Sequence, residues 1–102
     1  MLLNNDIISF NNELLSQFQF YKSLDDVRQN VLIEMAFNLG INGLLNFKSM
    51  IKYLENGDFE NASIEMLDSK WHRDFQHYAP NTPIQDLRSS KLAKLMREGK
   101  YA

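Results

Sequence analysis

Three polar residues recur every four positions along residues 25–40, a run that is otherwise largely apolar: Asn30, Glu34 and Asn38. In a helix, at 100° per residue, they stack one turn apart. Leu24, Val31, Leu32, Met35 and Leu39 fill one broad arc, and Ile33 and Phe37 form a second apolar patch with Ala36 between the two. Two amides and a carboxylate in the remaining gap either face water or floor a groove and hydrogen-bond a polar ligand. Composition alone does not separate these alternatives. Elsewhere the reactive side chains are sparse. His72 and His77 stand five apart, which is not metal-ligand spacing on a helix. Ser89, Ser90 and Lys91 have no histidine nearby in sequence, so nothing there marks a nucleophile. Cysteine is absent, which excludes disulfides and thiolate metal sites. No metal and no cofactor are expected.

The elements that must position these residues are all helical, because apolar residues recur at helical spacing and no stretch alternates for long enough to form a strand. A first helix is expected over about residues 5–19, with Ile7, Ile8, Phe10, Leu14, Leu15 and Phe18 on its apolar side. Ser23 is the expected N-cap of the long helix, with Asp26 reaching back to the cap amide. That helix, about residues 24–39, stops at Gly40, and Gly40, Asn42 and Gly43 make a flexible corner. The period resumes near Leu45 through Phe47, Met50, Ile51 and Leu54, and Gly57 closes that helix. Asp58 caps the next, whose apolar positions are Phe59, Ala62, Ile64, Met66 and Leu67. A short helix surrounds Trp71, which reads as a core anchor. Pro80 and Pro83 fix a loop over residues 79–83. The last helix is expected over about residues 84–98, basic on one side and apolar at Leu87, Leu92, Leu95 and Met96, and ended by Gly99. The fold class is all-α: one compact multi-helix domain over residues 1–102 around a central buried helix.

Bulk properties narrow the function classes. A length of 102 residues with 44% hydrophobic content suits a single core. A net charge of −2, with both signs mixed along the chain, argues against nucleic acid as principal ligand. Met1, Leu2 and Leu3 run directly into Asn4, Asn5 and Asp6 without a basic leader or long apolar core, so no secretory signal and a cytoplasmic location are expected. No apolar run approaches the roughly 20 residues of a membrane span.

The series of motifs also resembles a known family. Residues 27–40 are similar to the central helix of the phage-type lysozymes, the muramidases or endolysins of tailed phages, in which a helix ending Phe-Asn/Gln-apolar-Gly is followed by Gly and then Phe. Here those are Phe37, Asn38, Leu39 and Gly40, then Gly43 and Phe47. A helix from Met50 to Phe59, the group Asp68, Ser69, Lys70 and Trp71, and a closing segment from Arg88 to Tyr101 follow in the family's order. The likeness is collinear from Ser23 to Tyr101, about three quarters of the chain, and the segment from His72 to Thr82 is longer than the family's usual connection.

What the resemblance implies is a peptidoglycan hydrolase, a glycosidase cleaving between N-acetylmuramic acid and N-acetylglucosamine in bacteriolysis. It implies only its helical lobe. The family's catalytic Glu lies in a smaller lobe, ahead of a Gly-rich hairpin bearing an Asp or Cys and a Thr. Glu13, the one Glu before the long helix, has no such hairpin after it. Glycoside hydrolysis needs two carboxyls about 5–9.5 Å apart, and Glu34 has no evident partner. No catalytic residue is therefore assigned.

By resemblance, Phe37 and Asn38 lie at the inner end of the glycan cleft with Glu34 beside them. Arg88 matches a cleft-facing Arg that pairs with the other lobe's carboxylate; apart from the resemblance it reads as a surface ion pair. Expected partners are a peptidoglycan strand and either a separate catalytic lobe or a second copy. The alternatives are a non-catalytic lysozyme-derived module that binds glycan or a protein, and a helical adaptor sharing only the fold. Phe10, Phe18, Phe20 and Tyr21 make the first helix and its exit apolar enough to favour an unsatisfied surface.

Overall fold

The computed structural model describes residues 4–101, with side chains from Ser9 to Tyr101. Ile7 and Ile8, expected on the first apolar face, fall outside the described side chains. Among the described residues there are six α-helices and no strand: α1 (Asn4–Gln17), α2 (Asp26–Leu45), α3 (Lys48–Glu55), α4 (Phe59–Leu67), α5 (Lys70–Tyr78) and α6 (Arg88–Glu98). Two 3-10 turns, Tyr21–Ser23 and Ile84–Asp86, precede α2 and α6. The expected all-α class is what the chain adopts. It divides into two compact units, residues 1–46 and 47–102.

In the first unit α1 packs against α2. Leu14, Phe18 and Tyr21 are buried at the exit of α1. The Tyr21 hydroxyl donates to Asn11 Oδ1 at 2.9 Å, and Gln29 Nε2 donates to the Tyr21 carbonyl at 2.9 Å. Burial pushes the Tyr21 phenol up to about 12, so it remains a donor. Phe18 and Tyr21 are thus interior, contrary to the expected apolar surface; among the described residues of this unit Leu15 and Phe37 are the large apolar ones left exposed.

The N-cap of α2 is Asp25 rather than Ser23. Its carboxylate accepts the Arg28 amide at 3.0 Å and pairs with the Arg28 guanidinium at 2.9 Å. Ser23 is held in the 3-10 turn, so the chain turns once more before the helix starts. Val31, Leu32, Ile33, Met35 and Ala36 are buried along α2.

Gly40 interrupts the helix with φ 75° and ψ 162°, a region essentially confined to glycine. Helical backbone then resumes to Leu45, so the expected corner at Asn42 and Gly43 is a final helical turn. At Gly43 a side chain has no room: a Cβ there would lie 2.9 Å from the Leu39 Cβ.

In the second unit α4 packs against α3, α5 and α6. Asp58 caps α4 by accepting the Asn61 amide at 3.2 Å, as expected. Ser69, not anticipated, caps α5 by accepting the His72 amide at 3.2 Å. Met50, Leu54, Ala62, Met66, Trp71, Leu92, Ala93 and Met96 form the core. Ile64 and Leu67 were expected on the apolar side of α4 but are exposed. The last helix begins at Arg88 rather than near Ile84, because Leu87 takes an extended conformation after the Ile84–Asp86 turn.

Trp71 is buried, with its ring edge-on to Phe47 at 6.2 Å and to Phe75 at 5.6 Å. Its indole Nε1 has no hydrogen-bond partner among the described residues, so its contribution is through packing. Trp71→Ala is expected to destabilise the chain by about 3–5 kcal/mol, read as a lower midpoint in urea unfolding at unchanged slope.

Candidate functional site

The polar strip on α2 lies at the surface. Asn30 and Asn38 are exposed and Glu34 is half-buried, one helical turn apart. Phe37, beside Asn38, is 49% exposed. Its ring meets Phe10 edge-on at 6.4 Å, which fixes one edge and leaves the rest of the side chain open. Leu32 and Ala36 anchor the opposite side of the helix in the core, so the strip is held on a rigid element. Gly40 ends the regular helix two residues after Asn38.

The resulting surface combines an aromatic ring, a primary amide and a carboxylate within two turns. An amide both donates and accepts, a carboxylate accepts, and a ring offers an apolar face. That set suits a ligand with hydroxyls and amides on an apolar ring. Along α2 the other acid is Asp26, eight residues from Glu34, about 12 Å of helix axis at 1.5 Å per residue. Two glycosidic carboxyls stand about 5–9.5 Å apart.

Arg88 belongs to the second unit, on the first turn of α6, where it is exposed. It borders a groove of about 760 Å³ together with Leu67, His72, Ile84, Lys91 and Lys94. Among the described residues no group of three or more His, Asp or Glu could hold a metal ion.

One polar contact went unread in the sequence. His72 Nδ1 lies 2.7 Å from Ser89 Oγ, and both residues are buried. Seventeen positions separate them, so Ser89 does have a histidine beside it. The signal was on α6: Ser89 shares the i, i+3, i+4, i+7 stripe with Leu92, Ala93 and Met96, and a serine on an apolar stripe needs a partner. The pair ties α5 to α6. With the Ser89 side chain fully enclosed, its hydroxyl is a structural bond and not a nucleophile.

Comparison with known proteins gives a class to this architecture. Over 79 residues, 78% of this chain, it is 33% identical to a protein of Dictyostelium discoideum named "Probable T4-type lysozyme 1", covering 41% of that protein. A second protein of the same organism, "Probable T4-type lysozyme 2", is 33% identical over 52 residues, 51% of this chain and 31% of the relative. No family model and no solved structure matches. The all-helical chain is therefore T4-lysozyme-like in sequence, as the motif series implied, and it spans less than half the length of these curated relatives.

Burial holds the His72 pKa below its usual range, and the neighbouring Arg73 charge adds to the effect. As pH falls through about 6.5 the unfolded chain takes up a proton that folded His72 refuses. Stability should therefore fall between pH 7.5 and 5.5, above the range in which carboxylates titrate. His72→Gln, compared with the parent by urea unfolding across that window, should flatten the slope; an unchanged slope would assign it to other groups.

Proposed function

We propose that this chain supplies helical parts of a peptidoglycan-cleaving lysozyme, with the α2 strip as one wall of a glycan cleft whose proton-donating carboxyl belongs to another lobe. The observation that carries this reading is the 33% identity to part of a T4-type lysozyme across 78% of the chain. It is supported by the character of the α2 strip, where Phe37, Asn38 and Glu34 are accessible together. The bond broken in the full reaction is the glycosidic link between N-acetylmuramic acid and N-acetylglucosamine.

In this reading Phe37 packs against the apolar face of a sugar ring. Asn38 donates to and accepts from hydroxyl or N-acetyl groups, and Glu34 accepts from a hydroxyl. These contacts bind and orient the strand. Arg88 acts electrostatically, its fixed positive charge stabilising an ionised carboxylate on the other lobe. None of the four moves a proton.

Two measurements test the reading. The purified chain alone should not clear suspensions of bacterial cell walls, because the proposed reading assigns the proton-donating carboxyl to another lobe; sustained clearing would contradict that assignment. Asn38→Ala should weaken binding of a chitooligosaccharide several-fold by calorimetry while leaving the melting temperature within about 1 °C. An equal loss of stability and affinity would return Asn38 to a packing role.

A further inference from the structure

The groove bordered by α4, the Ile84–Asp86 turn and α6 has a character that the glycan reading does not use. Four cations of α6 line it, Arg88, Lys91, Lys94 and Arg97, against one acid, Asp86. They recur every three residues, so they wind around the side of the helix away from the buried stripe of Ser89, Leu92, Ala93 and Met96. From first to last they span nine residues, about 13.5 Å of helix axis. Arg97 shares its charge with Glu98 at 3.4 Å. Lys91 and Lys94 are exposed and have no ion-pair partner among the described residues. On a chain whose net charge is −2, this is a local reversal of sign.

The same groove is bordered by exposed apolar side chains. Ile84 is 57% exposed and Leu67 40% exposed, with Leu95 half-buried between the cations. Charge alone would suit any polyanion, whereas apolar side chains add nothing to the binding of a bare polyphosphate. A volume of about 760 Å³ falls in the range of a ligand site, about 300–1,000 Å³. Its concavity suits a chain laid into it better than the flat face of a bilayer.

We infer that this groove is a docking site for an acidic, amphipathic peptide segment of a partner protein. The segment's carboxylates meet Lys91 and Lys94, and its apolar side chains pack on Ile84 and Leu67. Complementary charge speeds the encounter and makes binding salt-dependent. The apolar contacts select an amphipathic segment over a uniformly charged one. The proposal does not rest on the lysozyme reading: its contacts are Lys91, Lys94, Ile84 and Leu67, and the one residue that the two share, Arg88, is not among them.

Fluorescence anisotropy with labelled dodecapeptides tests it, one alternating glutamate and leucine and one of glutamate alone, with flotation on phosphatidylglycerol vesicles alongside. The alternating peptide should bind at least 10-fold more tightly than the uniform one. The double variant Lys91→Glu/Lys94→Glu should weaken it at least 10-fold and Ile84→Ser about 5-fold, with circular dichroism and melting temperature unchanged. Equal binding of the two peptides, indifference to these substitutions, or flotation on vesicles without peptide binding would overturn the proposal. If the charge reversals alter folding, Lys91→Gln/Lys94→Gln with a salt titration replaces them: loss of the salt dependence supports the site, and its persistence contradicts it.

Discussion

The backbone at Gly40 constrains everything that the α2 surface can do. Its φ of 75° with ψ of 162° costs any residue with a Cβ about 1–3 kcal/mol, so glycine alone breaks the helix there cheaply. The break lies directly after the stretch that runs from buried Met35 and Ala36 to exposed Phe37 and Asn38. A continuous helix would carry the strip onward; the interruption gives it an end. Three residues later Gly43 answers a different need, since a Cβ there would press on Leu39 at 2.9 Å. One glycine supplies a conformation and the other a close approach.

In the second unit the organising contacts are polar links set into an apolar core. Asp58 and Ser69 start α4 and α5 by accepting amides that would otherwise lack partners. His72 and Ser89 then join α5 to α6 inside the core, where an unsatisfied group would cost about 1–3 kcal/mol. With α6 fixed on its buried stripe, its cations are held outward at the groove. The cationic surface of this unit thus follows from which side of α6 the core claims.

Much of this was legible in the sequence, and the reasons differ by element. The period-3.6 apolar pattern marked α1 to α4 and α6, and Gly57 and Gly99 were readable as stops, where both take positive φ. Caps were harder. Ser23 and Asp25 are both good N-cap types two residues apart, and only the intervening turn at Tyr21–Ser23 decides between them. The start of α6 was misread because Ile84 and Leu87 continue its apolar spacing while the chain is extended at Leu87. Asn42 and Gly43 look like loop residues, yet helical backbone runs through both to Leu45. Asn30, Glu34 and Asn38 could be found from spacing as a strip, with Phe37 in the apolar patch beside it. Their accessibility could not, since it depends on what the core covers. The His72–Ser89 contact spans 17 positions, beyond the reach of any local pattern.

The central claim is that the exposed end of α2 is a glycan-binding wall. A titration of isotopically labelled protein with chitotetraose, followed by amide nitrogen–proton correlation spectra, tests it most directly. The account predicts saturable shifts concentrated at Glu34, Phe37, Asn38 and the Gly40 amide. Shifts confined to the second unit, or no shift at millimolar sugar, would contradict it.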